Sequence, residues 1–403
     1  MSEPIHNSSS PRPAEGFSLV ELLTAMALSL LMFALTFTLV QQLDNTADVV
    51  GSMSDVNENV RAAVNMVSRD LSTAGENIPL GGIPLPYGGT ATAIKRPYPS
   101  TSNFPTPLSG GALYMPVLIA GNGLGPTQGS GSSSIKTDVV TMIGVNQTSS
   151  FYPTAVNTTT SAPTFSSASA TITVSTTAAG YVSPGQLIML TDANSSCLLA
   201  ISSVNTTTGV ITFTHSDTTN DLMGINQFPT VSATNGSITS GPTSGTILQL
   251  ETATQNSGKT TYAWPATLTA YPILMTTYYL DSSTPERNLI KLTSKGTSGC
   301  ASVSCTNTVA LGINVLQVFY SLSPPATSNG VQSDPTENPW PTTTDTGNTP
   351  NDIRKVVLNV VGETNHKNFA NSQWYSREIR NAVTIQNLDY YNKYNLGASM
   401  TQN

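Results

Sequence analysis

Residues 17–40, FSLVELLTAMALSLLMFALTFTLV, decide the architecture of the first part of the chain. They form an apolar run with neither proline nor glycine, and Glu21 is the one charged side chain within it. At about 1.5 Å per residue, a helix of this length extends about 36 Å, which is enough to cross a membrane. A charge inside such a helix costs roughly 2.5 to 3.5 kcal/mol on insertion scales, so Glu21 requires compensation.

The segment ahead of this run is a candidate leader peptide. Residues 1–16 are mostly polar, contain Pro11 and Pro13, and end at Gly16. A secretory signal peptide has the opposite order, with its cleavage site after the apolar stretch. Cleavage of this chain is therefore expected before the apolar run.

Residues 16–23, GFSLVELL, resemble the class III signal of type IV prepilins and type II secretion pseudopilins. In these families a prepilin peptidase cuts after the glycine and methylates the new N-terminal amine. The resemblance implies cleavage between Gly16 and Phe17 and N-methylation of Phe17. It also implies an assembly contact for Glu21, whose carboxylate would pair with the Phe17 ammonium of a neighbouring subunit.

Two features depart from the pattern of the family. Glu15 stands where a basic residue usually precedes the glycine, and Arg12 is the one basic residue of the leader, so membrane orientation is weakly encoded. Major pilins often carry stem prolines, whereas none occurs from Phe17 to Asn77, which points away from a major subunit. The alternative is an uncleaved signal anchor in which Glu21 reaches the membrane interface.

The helical pattern continues beyond the membrane-length run. Apolar residues recur three or four positions apart and form one face of a helix; they are Val49, Met53, Val56, Val60, Val64, Val67 and Leu71. Gly75 and Pro79 predict the helix end, so the stem helix is expected from Phe17 to Ala74. Its second half should pack on a globular head, and a free coiled coil is the alternative.

The remaining chain reads as strands and loops. Eleven runs have β-branched or alternating character: DVVTMIGV, ATITV, QLIMLT, LLAISSV, VITFT, TILQLE, ILMTTYYL, NLIKLT, INVLQVFYSL, IRKVVLNVV and AVTIQNL. ISSVNTTTGVITFT predicts a hairpin whose turn ends at Gly209.

The C-terminal part resembles PilW-type minor pilins. The resemblance rests on INVLQVFYSL, a loop over residues 323–352, IRKVVLNVVGETN and REIRNAVTIQNLDYYN.

The fold class expected for the whole chain is α+β, with a long stem helix packed on a large, mostly antiparallel, β-rich head. The expected division is a leader at 1–16, a transmembrane or filament-core helix at 17–40, an amphipathic half of the stem at 41–74 and a head at 75–403.

Composition narrows the class of partner. Charged residues make up only 10% of the chain, and this low fraction suits a secreted, strand-rich protein. The net charge of the chain is -7. Between Arg96 and Lys259 the one basic residue is Lys136, so direct nucleic-acid binding is not expected there.

Three cysteines are present. Cys300 and Cys305 close the short segment CASVSC, which in an oxidising compartment predicts a small disulfide-bonded turn, with Cys197 left over. A zinc site is the weaker interpretation because about four ligands are needed. Three reduced thiols in a core are the other alternative.

No catalytic motif or cofactor site stands out in the sequence. His6, His215 and His366 are far apart and belong to no recognisable motif. The segment SDTTND, 216–221, offers oxygen ligands for calcium, but it lacks EF-hand spacing and is better interpreted as a polar turn. We therefore expect neither an enzyme nor a metal protein.

The expected function is that of a minor pilin that primes assembly or sits at the tip of a type IV pilus. The alternatives are a tip adhesin that binds a surface or host ligand, and a minor pseudopilin of type II secretion. The resemblance implies prepilin peptidase and other minor and major pilins as partners. It implies a single-pass inner-membrane protein with a periplasmic head, and later a place in the pilus at the cell surface.

Overall fold

The computed structural model describes residues 18–79, 82–99, 101–103, 114–128, 134–192, 195–256, 259–281, 287–294, 304–322, 353–364 and 374–385. The fold is α+β, as predicted from the sequence. One long helix, α1, spans Leu19–Ser72 and is followed by a large antiparallel β-rich region. Helix α1 ends two residues earlier than predicted; Thr73 is its C-cap, and Gly75 adopts a left-handed φ of 79° just beyond it.

The predicted apolar stripe of the stem is buried from Val56 onward. Its buried members are Val56, Val60, Val64, Val67 and Leu71, together with Ala63. Val49 and Met53, at the N-terminal end of the same stripe, are only half-buried. The second half of α1 is thus part of the main hydrophobic core, which makes a free coiled coil wrong for this segment.

The described residues form twenty-three strands, and all their pairings are antiparallel. In chain order they are β1 Ile83–Pro84, β2 Tyr114–Met115, β3 Leu118–Gly121, β4 Thr127–Gln128, β5 Ile135–Lys136, β6 Val139–Val145, β7 Thr154–Ala155, β8 Thr164–Phe165, β9 Ser169–Thr173, β10 Leu187–Thr191, β11 Ser196–Ala200, β12 Ser203–Asn205, β13 Val210–Thr214, β14 Thr230–Val231, β15 Ile238–Ser240, β16 Thr252–Asn256, β17 Lys259–Ala263, β18 Thr269–Asp281, β19 Asn288–Ser294, β20 Ser304–Ala310, β21 Ile313–Leu322, β22 Ile353–Glu363 and β23 Ser376–Thr384. A short helix, α2, spans Thr176–Ala179, and a 3-10 helix spans Ile247–Leu250.

Strand β18 is the centre of the largest sheet, which has eight strands. It pairs with β6, β7, β10 and β19, while β3, β11 and β20 extend the sheet beyond β6, β10 and β19. Tyr278 of β18 is fully buried in the core beneath α1. This sheet and the stem helix therefore share one hydrophobic core.

The stem helix also lies on a three-stranded sheet in the order β21-β22-β23. At Gly362 of β22, a Cβ atom would lie 2.4 Å from Cγ2 of Val60 and 3.3 Å from Cγ1 of Val56. The absence of a side chain at Gly362 therefore lets the helix approach the sheet. On β23, the Asn381 amide donates a hydrogen bond to Oγ of Ser68 at 2.8 Å.

A four-stranded sheet in the order β12-β13-β9-β8 covers a second hydrophobic core. Its side chains alternate, so that Ile172, Ile211 and Phe213 are buried against Leu190 and Leu199 of the large sheet. The opposite side chains of β9 and β13 stay at least partly exposed.

Most of the predicted strand segments are strands, with three differences. The segment TILQLE, predicted as a strand, contains the 3-10 helix 247–250, whose Ile247, Leu248 and Leu250 are buried; periodicity does not identify so short an apolar run. LLAISSV is divided between β11 and β12, and β23 begins earlier than AVTIQNL and ends at Thr384. The predicted hairpin is confirmed, since β12 pairs with β13 and Gly209 has a φ of 73°.

Candidate functional site

The N-terminal half of α1 presents a continuous apolar surface. Residues 18–44 are all exposed, including Phe33 at 72% and Leu39 at 58%. Among the described residues, α1 is the one helix long and apolar enough to cross a membrane. Exposed apolar surface costs about 25 cal/mol per Å², and a patch of this size marks an interaction with lipid or protein.

Glu21 lies at the start of this apolar surface and closes the N-terminal turn of the helix. Its Oε2 accepts a hydrogen bond from the Ser18 backbone N–H at 3.0 Å, and Ser18 Oγ accepts one from the Glu21 N–H at 3.2 Å. This reciprocal pair is a capping box, which satisfies helix N–H groups that would otherwise lack partners. The cost of placing the Glu21 carboxylate in the apolar helix is thus partly compensated by a hydrogen bond within its own chain.

Sequence reasoning missed the role of Ser18, although the signal was present. Ser18-Leu19-Val20-Glu21 has the spacing of a capping box. The other predicted residues of the N-terminal signal, Gly16 and Phe17, lie outside the described residues. The cleavage and methylation predicted there remain predictions.

The stem is fixed to the head by a polar contact at the C-terminal end of α1. The Asp70 carboxylate accepts a hydrogen bond from the Tyr278 hydroxyl at 2.6 Å and lies 2.5 Å from Nζ of Lys291. Both charged side chains are mostly buried, with 16% and 19% of their surface exposed. Burial, reinforced by the Asp70 hydrogen bond, raises the pKa of Tyr278, so this hydroxyl remains a donor.

The segment 216–221 forms a hydrogen-bonded turn. Asp217 accepts bonds from the backbone N–H groups of Thr219 and Asn220, while Asp221 accepts bonds from those of Ile225 and Asn226. In the part of the chain that the structure describes, no group of three or more His, Cys, Asp or Glu side chains could hold a metal ion. This geometry fits the interpretation as a polar turn.

Of the two cysteines of the predicted disulfide, Cys305 lies within the described residues. Cys300 lies outside the described residues, and the backbone of Cys305 pairs with that of Thr293 between β20 and β19. Cys197 is a buried free thiol in the second core, and burial raises its pKa.

His6 and His366 also lie outside the described residues. His215 is described, and its Nδ1 accepts a hydrogen bond from the Phe228 N–H at 3.3 Å.

The outer face of the four-stranded sheet is a regular array of hydroxyl groups. Ser203, Thr212, Thr171 and Thr164 are Cα partners across all four strands and form one row. Thr164 and Thr171 also join their hydroxyl oxygens at 2.6 Å. Adjacent outward positions carry no charge; four of them are polar, Ser169, Thr173, Asn205 and Thr214, and one is apolar, Val210.

No protein-family model, no curated protein and no solved structure matches this chain.

Proposed function

We propose that this chain is a minor pilin of a type IV pilus, which primes assembly or sits at the tip by packing its N-terminal helix with other pilins. The observation that carries the proposal is the uncovered apolar half of α1, which begins at Leu19, within the GFSLVE signal, and has Glu21 as the carboxylate of its first turn. Before assembly, lipid of the inner membrane covers this surface, with the head in the periplasm. In the filament, helices of neighbouring subunits replace the lipid.

The charge at Glu21 supports a role in assembly. The capping box uses one carboxylate oxygen for the Ser18 N–H, and a carboxylate has about four lone-pair sites. The N-terminal ammonium of a neighbouring Phe17 therefore has room to bind the same carboxylate. Pairing of the two charges in an apolar bundle lowers the cost of burying each of them.

Mass spectrometry of the membrane-extracted protein tests the proposal. We expect a mature chain that begins with N-methylated Phe17, and we expect Gly16→Glu to retain residues 1–16 because the peptidase requires the glycine. A mature protein that begins at Met1, or one cut after Val40, would contradict the prepilin assignment. A minor pseudopilin of type II secretion gives the same N-terminus, and crosslinking to pilus subunits or to the secretion apparatus separates the two.

A tip adhesin is the second candidate, and the hydroxyl array on the four-stranded sheet favours it. The face has no charge to attract a polyanion and little apolar surface to bind lipid. Hydroxyl groups both donate and accept hydrogen bonds, and threonine methyl groups contact sugar C–H groups. A neutral polysaccharide is therefore the partner that fits this face, with many weak contacts acting together.

Lysine substitutions on the array separate adhesion from assembly. A Thr171→Lys and Thr212→Lys double variant should keep normal pilus number but lose attachment to immobilised neutral polysaccharide. Thr234→Lys, in an exposed turn outside this sheet, is the matched control and should attach normally. Unchanged attachment of the double variant would rule out this face as the adhesive surface.

A further inference from the structure

The middle of helix α1, residues 44–55, joins two parts of the helix that are held in different ways. Residues 19–40 carry the apolar surface, and from Val56 onward the helix is packed into the head. None of residues 44–55 is buried. Because most helical stability in proteins comes from tertiary packing, this segment depends mainly on its intrinsic helix propensity.

That propensity is low. Eight of the twelve residues are weak helix formers, whose side chains or backbone compete with helix hydrogen bonding; they are Asp44, Asn45, Thr46, Asp48, Gly51, Ser52, Ser54 and Asp55. Asp44 and Asp48 are also like charges one turn apart, which destabilises a helix. The apolar half, in contrast, is rich in alanine, leucine and methionine.

Gly51 is the weakest point of the segment. It is the one glycine of α1, which contains no proline. A Cβ atom at Gly51 would meet no heavy atom within 4 Å, and its φ is not in the left-handed region, so neither close packing nor backbone geometry requires glycine there. Glycine costs roughly 1 kcal/mol relative to alanine inside a helix.

Side-chain hydrogen bonds on both sides of Gly51 compete with the backbone ladder. Thr46 Oγ1 donates to the Gln42 carbonyl at 2.7 Å, and Ser52 Oγ donates to the Asp48 carbonyl at 2.8 Å. Such bonds to the residue four positions earlier slightly destabilise and often bend helices. They lie in the same segment as the glycine, in which no side chain is fully buried and Val49 and Met53 are half-buried.

We propose that residues 44–55 form a flexible joint centred on Gly51, at which α1 bends or opens locally. The joint lets the head change direction relative to the apolar half of the helix. It would allow a head fixed to one end of a long helix to reorient when lipid or other helices fix the other end. The joint is a property of the helix itself, whatever assembly the helix enters.

Hydrogen exchange of the full-length protein in detergent micelles tests the joint. Backbone amides of 44–55 should exchange faster than those of 56–72, which are held by the head. Gly51→Ala should slow exchange in 44–55 about fivefold, the ratio that corresponds to roughly 1 kcal/mol of helix propensity. Ala47→Gly, at an exposed position of the same segment, is the matched control and should accelerate exchange by a similar factor.

The possible outcomes are distinct. Fast exchange that Gly51→Ala slows supports the joint. Exchange in 44–55 as slow as in 56–72, or exchange rates that Gly51→Ala leaves unchanged, would overturn it. Neither measurement requires pili, so failure of the joint and failure of the proposed function can be told apart.

Discussion

At the scale of single residues, Glu21 combines a local role with a proposed intermolecular one. Its carboxylate caps the helix by accepting from the Ser18 N–H, and its charge is available to a neighbouring ammonium. A change to leucine removes both roles at once. A change to glutamine removes the charge but keeps an oxygen that can accept the same hydrogen bond, since glutamine also serves in capping boxes.

From the proposed pairing we predict that both Glu21→Gln and Glu21→Leu reduce crosslinking to pilins at normal protein abundance, because both would leave the neighbouring ammonium without its partner. Ser18→Ala, which weakens the cap by about 1 kcal/mol but keeps the charge, should retain crosslinking. If Glu21→Gln assembles normally and only Glu21→Leu fails, the cap is the important function and the pairing hypothesis is wrong.

Glu251 is a second residue whose surroundings predict a measurable effect. It directly follows the 3-10 helix 247–250, and burial raises the pKa of its carboxyl to about 7. The folded state therefore binds a proton more tightly than the unfolded state does. The unfolding free energy should fall as pH rises from about 4.5 to about 7, because the folded protein must then hold a partly buried charge.

Glu251→Gln removes this penalty. After allowance for solvent screening of a partly exposed group, the variant should be more stable than the wild type by about 1 kcal/mol at pH 8, and the difference should vanish near pH 4. Denaturant unfolding of both proteins across this pH range is the measurement. A constant difference at all pH values would show that the Glu251 carboxyl does not titrate abnormally.

At the scale of elements, the packing of the stem helix on β22 depends on the close approach of Val60 to Gly362. Because a Cβ atom at Gly362 would lie 2.4 Å from Val60, Gly362→Ala should force the helix from the sheet and lower the unfolding free energy by roughly 1 to 3 kcal/mol. Val60→Ala removes the clashing methyl group. The double variant should therefore lose less stability than the sum of the two single losses. Strictly additive losses in a double-mutant cycle would contradict this contact.

The same elements show what sequence can and cannot specify. Periodicity over residues 49–71 was long enough to identify the buried face of the stem from Val56 onward. It could not show that Gly362 is the residue that admits the helix, because that contact joins positions about 300 residues apart. Nor could it pair Asp70 with Tyr278 and Lys291, since both partners come from strands whose register only the folded sheet fixes.

The candidate site was only partly predictable for a similar reason. Length and composition indicated the membrane-length helix, since these are local properties. Short strands gave a weaker signal. The segment 247–250, in which all residues except Gln249 are buried, has the composition of a strand, yet it forms one 3-10 turn beside the second core. The row of hydroxyls from Ser203 to Thr164 also depends on registers between four strands.

At the scale of the whole molecule, the contacts divide α1 into a part that the fold needs and a part that it does not. The first buried residue of the helix is Val56, and residues 18–44 are all exposed. The eight-stranded and three-stranded sheets also contact each other without the helix. Asp138, directly before β6, accepts a hydrogen bond from the Val318 N–H of β21 at 2.8 Å. The head together with residues 56–72 therefore contains the core that sets stability.

We predict that a fragment of residues 52–403 is soluble without detergent and unfolds at the same temperature as the full-length protein in detergent, because no buried residue has been removed. A fragment of residues 69–403 is the matched control. It lacks five buried side chains, Val56, Val60, Ala63, Val64 and Val67, and burial of a valine-sized side chain contributes about 1.5 to 3 kcal/mol. Because a typical domain is stable by only about 5 to 15 kcal/mol, this fragment should be unfolded or aggregated.

Calorimetry and circular dichroism of the two fragments are the measurements. Equal melting temperatures for both fragments would show that the stem rests on the head without stabilising it, whereas an unfolded 52–403 fragment would mean that the apolar half is part of the fold.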